Sequence, residues 1–169
     1  MPAFQFDLYV NLIRPLLFRF PTEPAQRIAE FALKTHWVWR AIENTLRLDH
    51  PGLEVDLFGL KLRNPVGLAA GFDKNCRFLP SLAALGFGYL VGGTVTRFTR
   101  LGNPKPRMFR NSKEQSLINA LGFPNKGLES VARNLRDTTW TRAGTPRIVS
   151  VSGTNIDEMV DCHRHIEPL

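Results

Sequence analysis

Asn64-Pro65-Val66-Gly67-Leu68-Ala69-Ala70-Gly71-Phe72-Asp73-Lys74 is the stretch that sets the reading of this chain. Asn64-Pro65 is turn punctuation, and Val66 to Ala70 is a short apolar run of small residues. A glycine turn ending in an acid and a base follows. Such a run predicts a strand buried on both faces, as in a parallel sheet. Downstream, a helical pattern near Phe78–Leu85 leads to a second apolar run, Tyr89-Leu90-Val91. A long loop is expected over residues 95–117, then a helix from Lys126 to Arg136, a third strand at Ile148–Val151 and a last helix over Ile156–Ile166. Strand, helix, strand, helix implies parallel pairing through right-handed crossovers, hence an α/β fold. Three strands do not close a barrel, which takes about 250 residues. The alternation is still running at Glu167-Pro168-Leu169, so a piece of a longer fold is expected.

The region before this stretch has a different period. Phe6, Tyr9, Val10, Ile13, Leu16 and Leu17 recur at spacings of three and four, interrupted at Pro15, in an unusually apolar segment from Phe4 to Phe20. Thr22 is the expected N-cap of a second helix whose stripe is Ala25, Ile28, Ala29 and Ala32, and Val38, Ala41, Ile42 and Thr45 form a third. Asp49-His50-Pro51-Gly52 stops the helical pattern. Alternation around Phe58-Gly59 predicts a hairpin of Val55, Leu57, Leu60 and Leu62. The domain expectation is a helical extension over residues 1–50 and the α/β part over 51–169.

The 169 residues carry 22 Lys and Arg against 15 Asp and Glu, a formal net charge of +7. Arg97, Arg100, Lys105, Arg107, Arg110 and Lys113 fall in a stretch without an acid. That run suits nucleic acid, anionic lipid, an anionic small molecule or plain solvation. Only Phe98 and Phe109 interleave it, few for base stacking, so nucleic acid suits the run least of the three and no nucleic-acid partner is expected. Cys76 and Cys162 are too few for a disulfide framework, which points to a reducing compartment. No 18-residue apolar run is present, and the N-terminus lacks a secretory pattern. Cys162, His163 and His165 lack the i, i+4 helix spacing that a metal site needs, so no metal is expected. Neither G-x-S-x-G nor H-E-x-x-H occurs.

Three stretches follow predicted strands, where ligands bind in parallel α/β folds. In Ala70-Gly71-Phe72-Asp73-Lys74-Asn75, small residues admit a flat ligand close to the backbone and Lys74 offers a point charge to an anion. The competing reading is a tight turn with a solvated Asp73–Lys74 pair. In Gly92-Gly93-Thr94-Val95-Thr96, Thr94 is placed to bond a ligand edge or a local group. In Ile118-Asn119-Ala120-Leu121-Gly122-Phe123, with Asn125 beyond, an asparagine before a glycine turn presents donor and acceptor to a planar heterocycle.

Taken as an ordered series, these stretches resemble class 2, quinone-dependent dihydroorotate dehydrogenase. Residues 64–74 look like its flavin-binding start, and Leu85-Gly86-Phe87-Gly88 through Gly93-Thr94-Val95-Thr96 its second strand. Gly102-Asn103-Pro104-Lys105-Pro106-Arg107-Met108-Phe109-Arg110 resembles its loop, and Ile118-Asn119-Ala120-Leu121-Gly122-Phe123-Pro124-Asn125 its substrate loop. The likeness runs over residues 5–169.

The resemblance implies a (β/α)8 TIM barrel holding FMN, oxidation of dihydroorotate to orotate, and reoxidation of the flavin by a membrane quinone, in pyrimidine synthesis. It implies FMN contacts at Ala70, Gly71, Phe72, Asp73, Lys74, Thr94 and Ser150. Substrate contacts are implied at Lys74, which suits the orotate carboxylate, and at Asn119, Ala120, Leu121, Gly122 and Phe123. Arg110 resembles an arginine lining the quinone tunnel. The first helices resemble an extension that sits on a membrane, as their apolar character independently suggests. The expected location is peripheral, on the cytoplasmic face of the inner or cell membrane, or on the mitochondrial inner membrane in a eukaryote. Several positions depart from the pattern. Ser150 stands where many members place asparagine, Val151-Ser152-Gly153 looks more like class 1, and Cys76 replaces a usual glycine. The family's catalytic base, a serine in class 2, belongs to a later segment. No base is therefore expected among these residues, and the 169 residues alone are expected to be inactive. The competing functions are a class 1-like dehydrogenase with a soluble acceptor and a non-catalytic half-barrel that binds membrane or a partner.

Overall fold

A computed structural model describes residues 7–137 and 145–169. The chain forms two compact units, Met1–Ala32 with Pro104–Ala120, and Leu33–Asn103 with Leu121–Leu169.

In the first unit, the opening helical segment changes register. Residues Tyr9–Ile13 form a π-turn in which the Arg14 N–H donates to the Tyr9 carbonyl, and Arg14–Phe18 continues as α1. Pro15 has no N–H to give, so the break in the predicted pattern falls where the proline dictates. Phe4 and Phe6 lie outside the described residues. Helix α2 spans Thr22–Leu33. The Thr22 hydroxyl does not cap it as expected, but donates to the Met108 carbonyl at 3.1 Å. The predicted loop over 95–117 is corrected in two places: its first two residues end a strand, Tyr89–Thr96, and its last part is a hairpin. Residues 108–119 form an antiparallel hairpin, with Met108 paired to Asn119 and Asn111 to Ser116. Residues 111–120 are all exposed, which leaves no apolar alternation for a sequence pattern to register.

The second unit opens on α3, His36–Leu46, followed by the predicted hairpin β1, Val55–Leu57, and β2, Leu60–Leu62. Phe58 (φ 52°) and Gly59 (φ 83°) are both left-handed, as a two-residue hairpin turn requires. The main sheet is parallel, in the order β3, Gly67–Leu68; β4, Tyr89–Thr96; β7, Arg147–Ser152, the numbers β5 and β6 belonging to Met108–Asn111 and Ser116–Asn119. β3 is shorter and less buried than predicted: Val66 is 61% exposed, and Ala69 and Ala70 are exposed too. β4 runs five residues beyond the predicted strand, because Gly92 and Gly93 pair through their backbones while offering no side chain to a pattern.

Helices α4, Leu79–Ala83, α5, Leu128–Asp137, and α6, Ile156–Ile166, cover this sheet. α5 turns Leu128, Val131, Ala132 and Leu135 inward, an i, i+3, i+4, i+7 stripe. Leu128, Val131 and Leu135 meet Leu79, Leu82, Leu90, Val95 and Cys162 in one core. The Asn155 side chain caps α6 by accepting from the Glu158 N–H at 2.9 Å. Glu158 in turn accepts from the Thr154 N–H (2.8 Å) and hydroxyl (2.7 Å), which holds its carboxyl below the usual range. Among the described residues, no helix is long and apolar enough to cross a membrane.

Candidate active site at the C-terminal ends of the parallel strands

Parallel strands place their C-terminal ends on one edge, and three chain segments converge there on Gly93. The Gly71 N–H donates to the Gly93 carbonyl at 2.8 Å, and the Gly93 N–H donates to the Asp73 carbonyl at 2.9 Å. A Cβ on Gly93 would lie 2.5 Å from the Ser150 carbonyl oxygen, and its φ of 98° favours glycine in any case. The register between β4 and β7 slips between Gly93 and Val95, leaving Thr94 unpaired in the ladder. Its hydroxyl meets that of Ser150 at 3.0 Å. The structure thus brings together Gly71, Asp73, Thr94 and Ser150 from the predicted flavin set.

Loop 69–78 is wound around Asp73. That residue is 1% exposed, and its carboxylate accepts from the Arg77 N–H (2.9 Å) and the Phe78 N–H (2.6 Å). Burial pushes its carboxyl up, and the hydrogen bonds from the backbone oppose that shift. A solvated Asp73–Lys74 pair is therefore excluded. What Asp73 presents at the strand ends is backbone. Lys74 is half-buried, Phe72 packs against the core, and Asn75 ties the loop to the start of α5 by accepting from the Lys126 N–H at 2.7 Å. A Cβ on Gly71 would meet no atom within 4 Å, and Ala70 is exposed. The strand ends thus offer open space over small residues beside a pair of hydroxyls, which fits a flat aromatic ring with polar edges.

The predicted substrate stretch is divided between the units. Asn119 ends β6 and pairs with Met108, and the Ala120 N–H donates to the Arg107 carbonyl at 2.9 Å, both in the first unit. Leu121, Gly122 and Phe123 belong to the second, where the Leu121 carbonyl accepts from the Asn103 N–H at 3.0 Å. Asn125 is 4% exposed and hydrogen-bonds both Thr96 and Phe123.

Arg110 lies in the first unit, its guanidinium 4.1 Å from the centre of the Phe18 ring and donating to the Phe18 and Phe20 carbonyls at 3.4 Å. Nearby is an anchor that sequence reasoning missed. Glu23 receives Arg107 (3.0 Å) and Lys105 (2.9 Å), and these two cations hold its carboxyl below the usual range. No local spacing signals a pairing across eighty residues. Half of the basic run is thus paired with acids, because Arg97 also pairs with Asp161 and, at 3.5 Å, with Glu129. Among the described residues no group of His, Cys, Asp or Glu could hold a metal ion.

A profile of the family described as dihydroorotate dehydrogenase matches residues 52–169. Relatives named dihydroorotate dehydrogenase (quinone) include one from Marinobacter nauticus, 46% identical over 126 residues, which are 75% of this chain and 37% of that protein. One from Bordetella avium is 41% identical over 156 residues, 92% of this chain and 43% of that protein. A crystal structure of the Eimeria tenella enzyme in complex with ferulenol superposes with a TM-score of 0.71 at 29% identity, covering 87% of this chain and 41% of that one. The chain spans about two fifths of the length of these relatives. The parallel sheet and its helices are accordingly part of a TIM-barrel-type α/β fold, and the chain belongs to the dihydroorotate dehydrogenase family.

Proposed function

We propose that this chain forms the flavin wall and part of the substrate turn of a quinone-dependent dihydroorotate dehydrogenase. The family implies a flavin, and we read it as FMN. The observation that carries this reading is the convergence on Gly93, with open space over Gly71 beside the Thr94–Ser150 hydroxyl pair. Ala70 and Gly71 would let the ring lie close to the backbone, while Thr94 and Ser150 bond its polar edge. Bound there, the flavin supplies hydride acceptance from dihydroorotate and electron delivery to a quinone. Lys74 would pair with the carboxylate of dihydroorotate or orotate, and Asn119 to Phe123 would orient its ring. No catalytic base is assigned to these residues.

At the acceptor end, Arg110 on Phe18 would face the quinone. Leu8, Tyr9, Val10, Leu12 and Leu16 are each 45–54% exposed, which suits a helix lying in a membrane surface. We read the location as peripheral, on the cytoplasmic face of the inner or cell membrane, or on the mitochondrial inner membrane in a eukaryote. The decisive experiment follows flavin absorbance in the purified holoenzyme. Dihydroorotate should bleach it, and a ubiquinone analogue, not fumarate or NAD, should restore it. A flavin that dihydroorotate does not bleach refutes the reading, and restoration by fumarate or NAD instead refutes its quinone part.

A further inference from the structure

We propose that Asn125 is a positioning residue for the substrate turn, acting by holding Phe123 in a conformation that Phe123 would not adopt by itself. Phe123 has φ 54°, in the left-handed region that bulky residues avoid, and it precedes Pro124, which also steers it toward extended backbone. Its side chain is 52% exposed, so burial of the ring does not hold it there. The constraint comes from the next residue but one. The Asn125 amide donates from Nδ2 to the Phe123 carbonyl and to Thr96 Oγ1, both at 2.8 Å. Its Oδ1 accepts from the Gly127 N–H at 2.8 Å and the Thr96 N–H at 3.4 Å. Its backbone exchanges two hydrogen bonds of 3.0 Å with Arg100.

Asn125 is thus buried with its amide fully engaged, clamped to the end of the strand that carries Thr94. On the other side of the turn, Gly122 (φ 73°) leaves no room for a Cβ, which would sit 2.8 Å from Asn103 Oδ1. The turn is fixed at both ends, and Phe123 between them is strained and open to solvent. Strain maintained in this way marks a site where geometry is held for use. This inference rests on the proposed function, because it assigns that turn to substrate.

The test is Asn125→Asp in the holoenzyme. The replacement keeps the shape and the Oδ1 contacts but sets an oxygen against the Phe123 carbonyl. Two half-reactions are measured separately: flavin reduction by dihydroorotate and reoxidation by a quinone analogue. Amide hydrogen exchange over residues 121–127 is followed in parallel. We expect kcat/KM for dihydroorotate to fall about tenfold or more, the scale of a small misplacement of substrate. Quinone KM and flavin content should hold, and exchange should rise in 121–127 and not in β4 or β7. Two results overturn the proposal. One is flavin reduction within about twofold of the unsubstituted protein. The other is an equal loss in both half-reactions with loss of flavin. Should N125D not yield folded holoenzyme, Thr96→Val, which removes the hydroxyl partner of Nδ2, is judged by the same outcomes. If the unsubstituted holoenzyme itself is not reduced by dihydroorotate, the functional reading fails instead, while the exchange result still reports on the clamp.

Discussion

Replacing Asp73 by alanine removes the acceptor around which residues 73–78 are wound. Two backbone donors, the Arg77 N–H at 2.9 Å and the Phe78 N–H at 2.6 Å, would be orphaned, and Phe78 is itself only 5% exposed. Hydrogen bonds to a charged acceptor contribute about 1.5–3 kcal/mol each, or about 3–6 kcal/mol for the two. Part of that is offset, because removing the carboxylate also removes its desolvation cost, which is large enough to raise its pKa. A net loss of about 2–4 kcal/mol follows for D73A, and about half of that for D73N, which keeps one acceptor oxygen. In a chain of this size it corresponds to a fall in Tm of about 5–15 °C for D73A. Urea unfolding at neutral pH, read by circular dichroism, measures it directly. The pH dependence has a defined sign. The folded carboxyl titrates above the ordinary value of 3.8, so the unfolded chain releases its proton first. The contribution of Asp73 is therefore greatest below that value and declines as pH rises through the folded one, a decline that D73A should lack. D73A within about 0.5 kcal/mol of the unsubstituted protein would refute the reasoning, as would D73N less stable than D73A.

Other substitutions separate shape from charge. Gly71→Ala adds a Cβ that meets no atom within 4 Å, whereas in Gly93→Ala it lies 2.5 Å from the Ser150 carbonyl oxygen. Both carry left-handed strain of about 1–2 kcal/mol. G93A should lose clearly more stability than G71A, while G71A should lose flavin, read as the ratio of visible to protein absorbance. Glu23→Gln loosens Arg107 and Lys105 in the first unit, so the KM for a quinone analogue should rise severalfold with reduction by dihydroorotate unchanged. Because the Glu23 carboxyl is held below its ordinary value of 4.5, its contribution to stability is present above that value and lost as pH falls through the folded one. A melting series from pH 3 to 7 should show that acid-side loss in the unsubstituted protein and not in E23Q. Cys76 and Cys162 are 0% exposed, and burial pushes the Cys76 thiol up to about 12. Iodoacetamide should therefore label neither in the native protein and both in urea, as read by intact mass.

The parts legible in the sequence are those where one face is apolar and the other wet. Helix α6 falls on the predicted residues, and α5 shows its stripe from Leu128 to Leu135. The hairpin at Phe58-Gly59 announced itself by turn chemistry. Where side chains carry no contrast, the pattern is silent. Gly92 and Gly93 conceal the length of β4, and the wholly exposed strand Ser116–Asn119 has no alternation to mark it. In the candidate site, the residues proposed for flavin are marked in the sequence by their position after strands. The bonds that shape the two units are not: Asp73 bonds amides four and five residues on, and Glu23 answers cations more than eighty positions away. Long-range pairing leaves no local period, so the acids that answer Arg97, Lys105 and Arg107 do not show in the basic run itself.

Cys76 and Gly92 share a space that accommodates only one of their side chains. Cys76 stands with φ 53° where the resemblance expects glycine, and its Sγ would lie 2.5 Å from any Cβ placed on Gly92. The two positions are therefore epistatic. Gly92→Ala alone should be rejected by the fold, whereas together with Cys76→Gly it should be accepted, since that change empties the space and removes a left-handed side chain at once. The dependence runs one way: while cysteine stands at position 76, glycine is required at 92, whereas Cys76 can change to glycine without any change at 92.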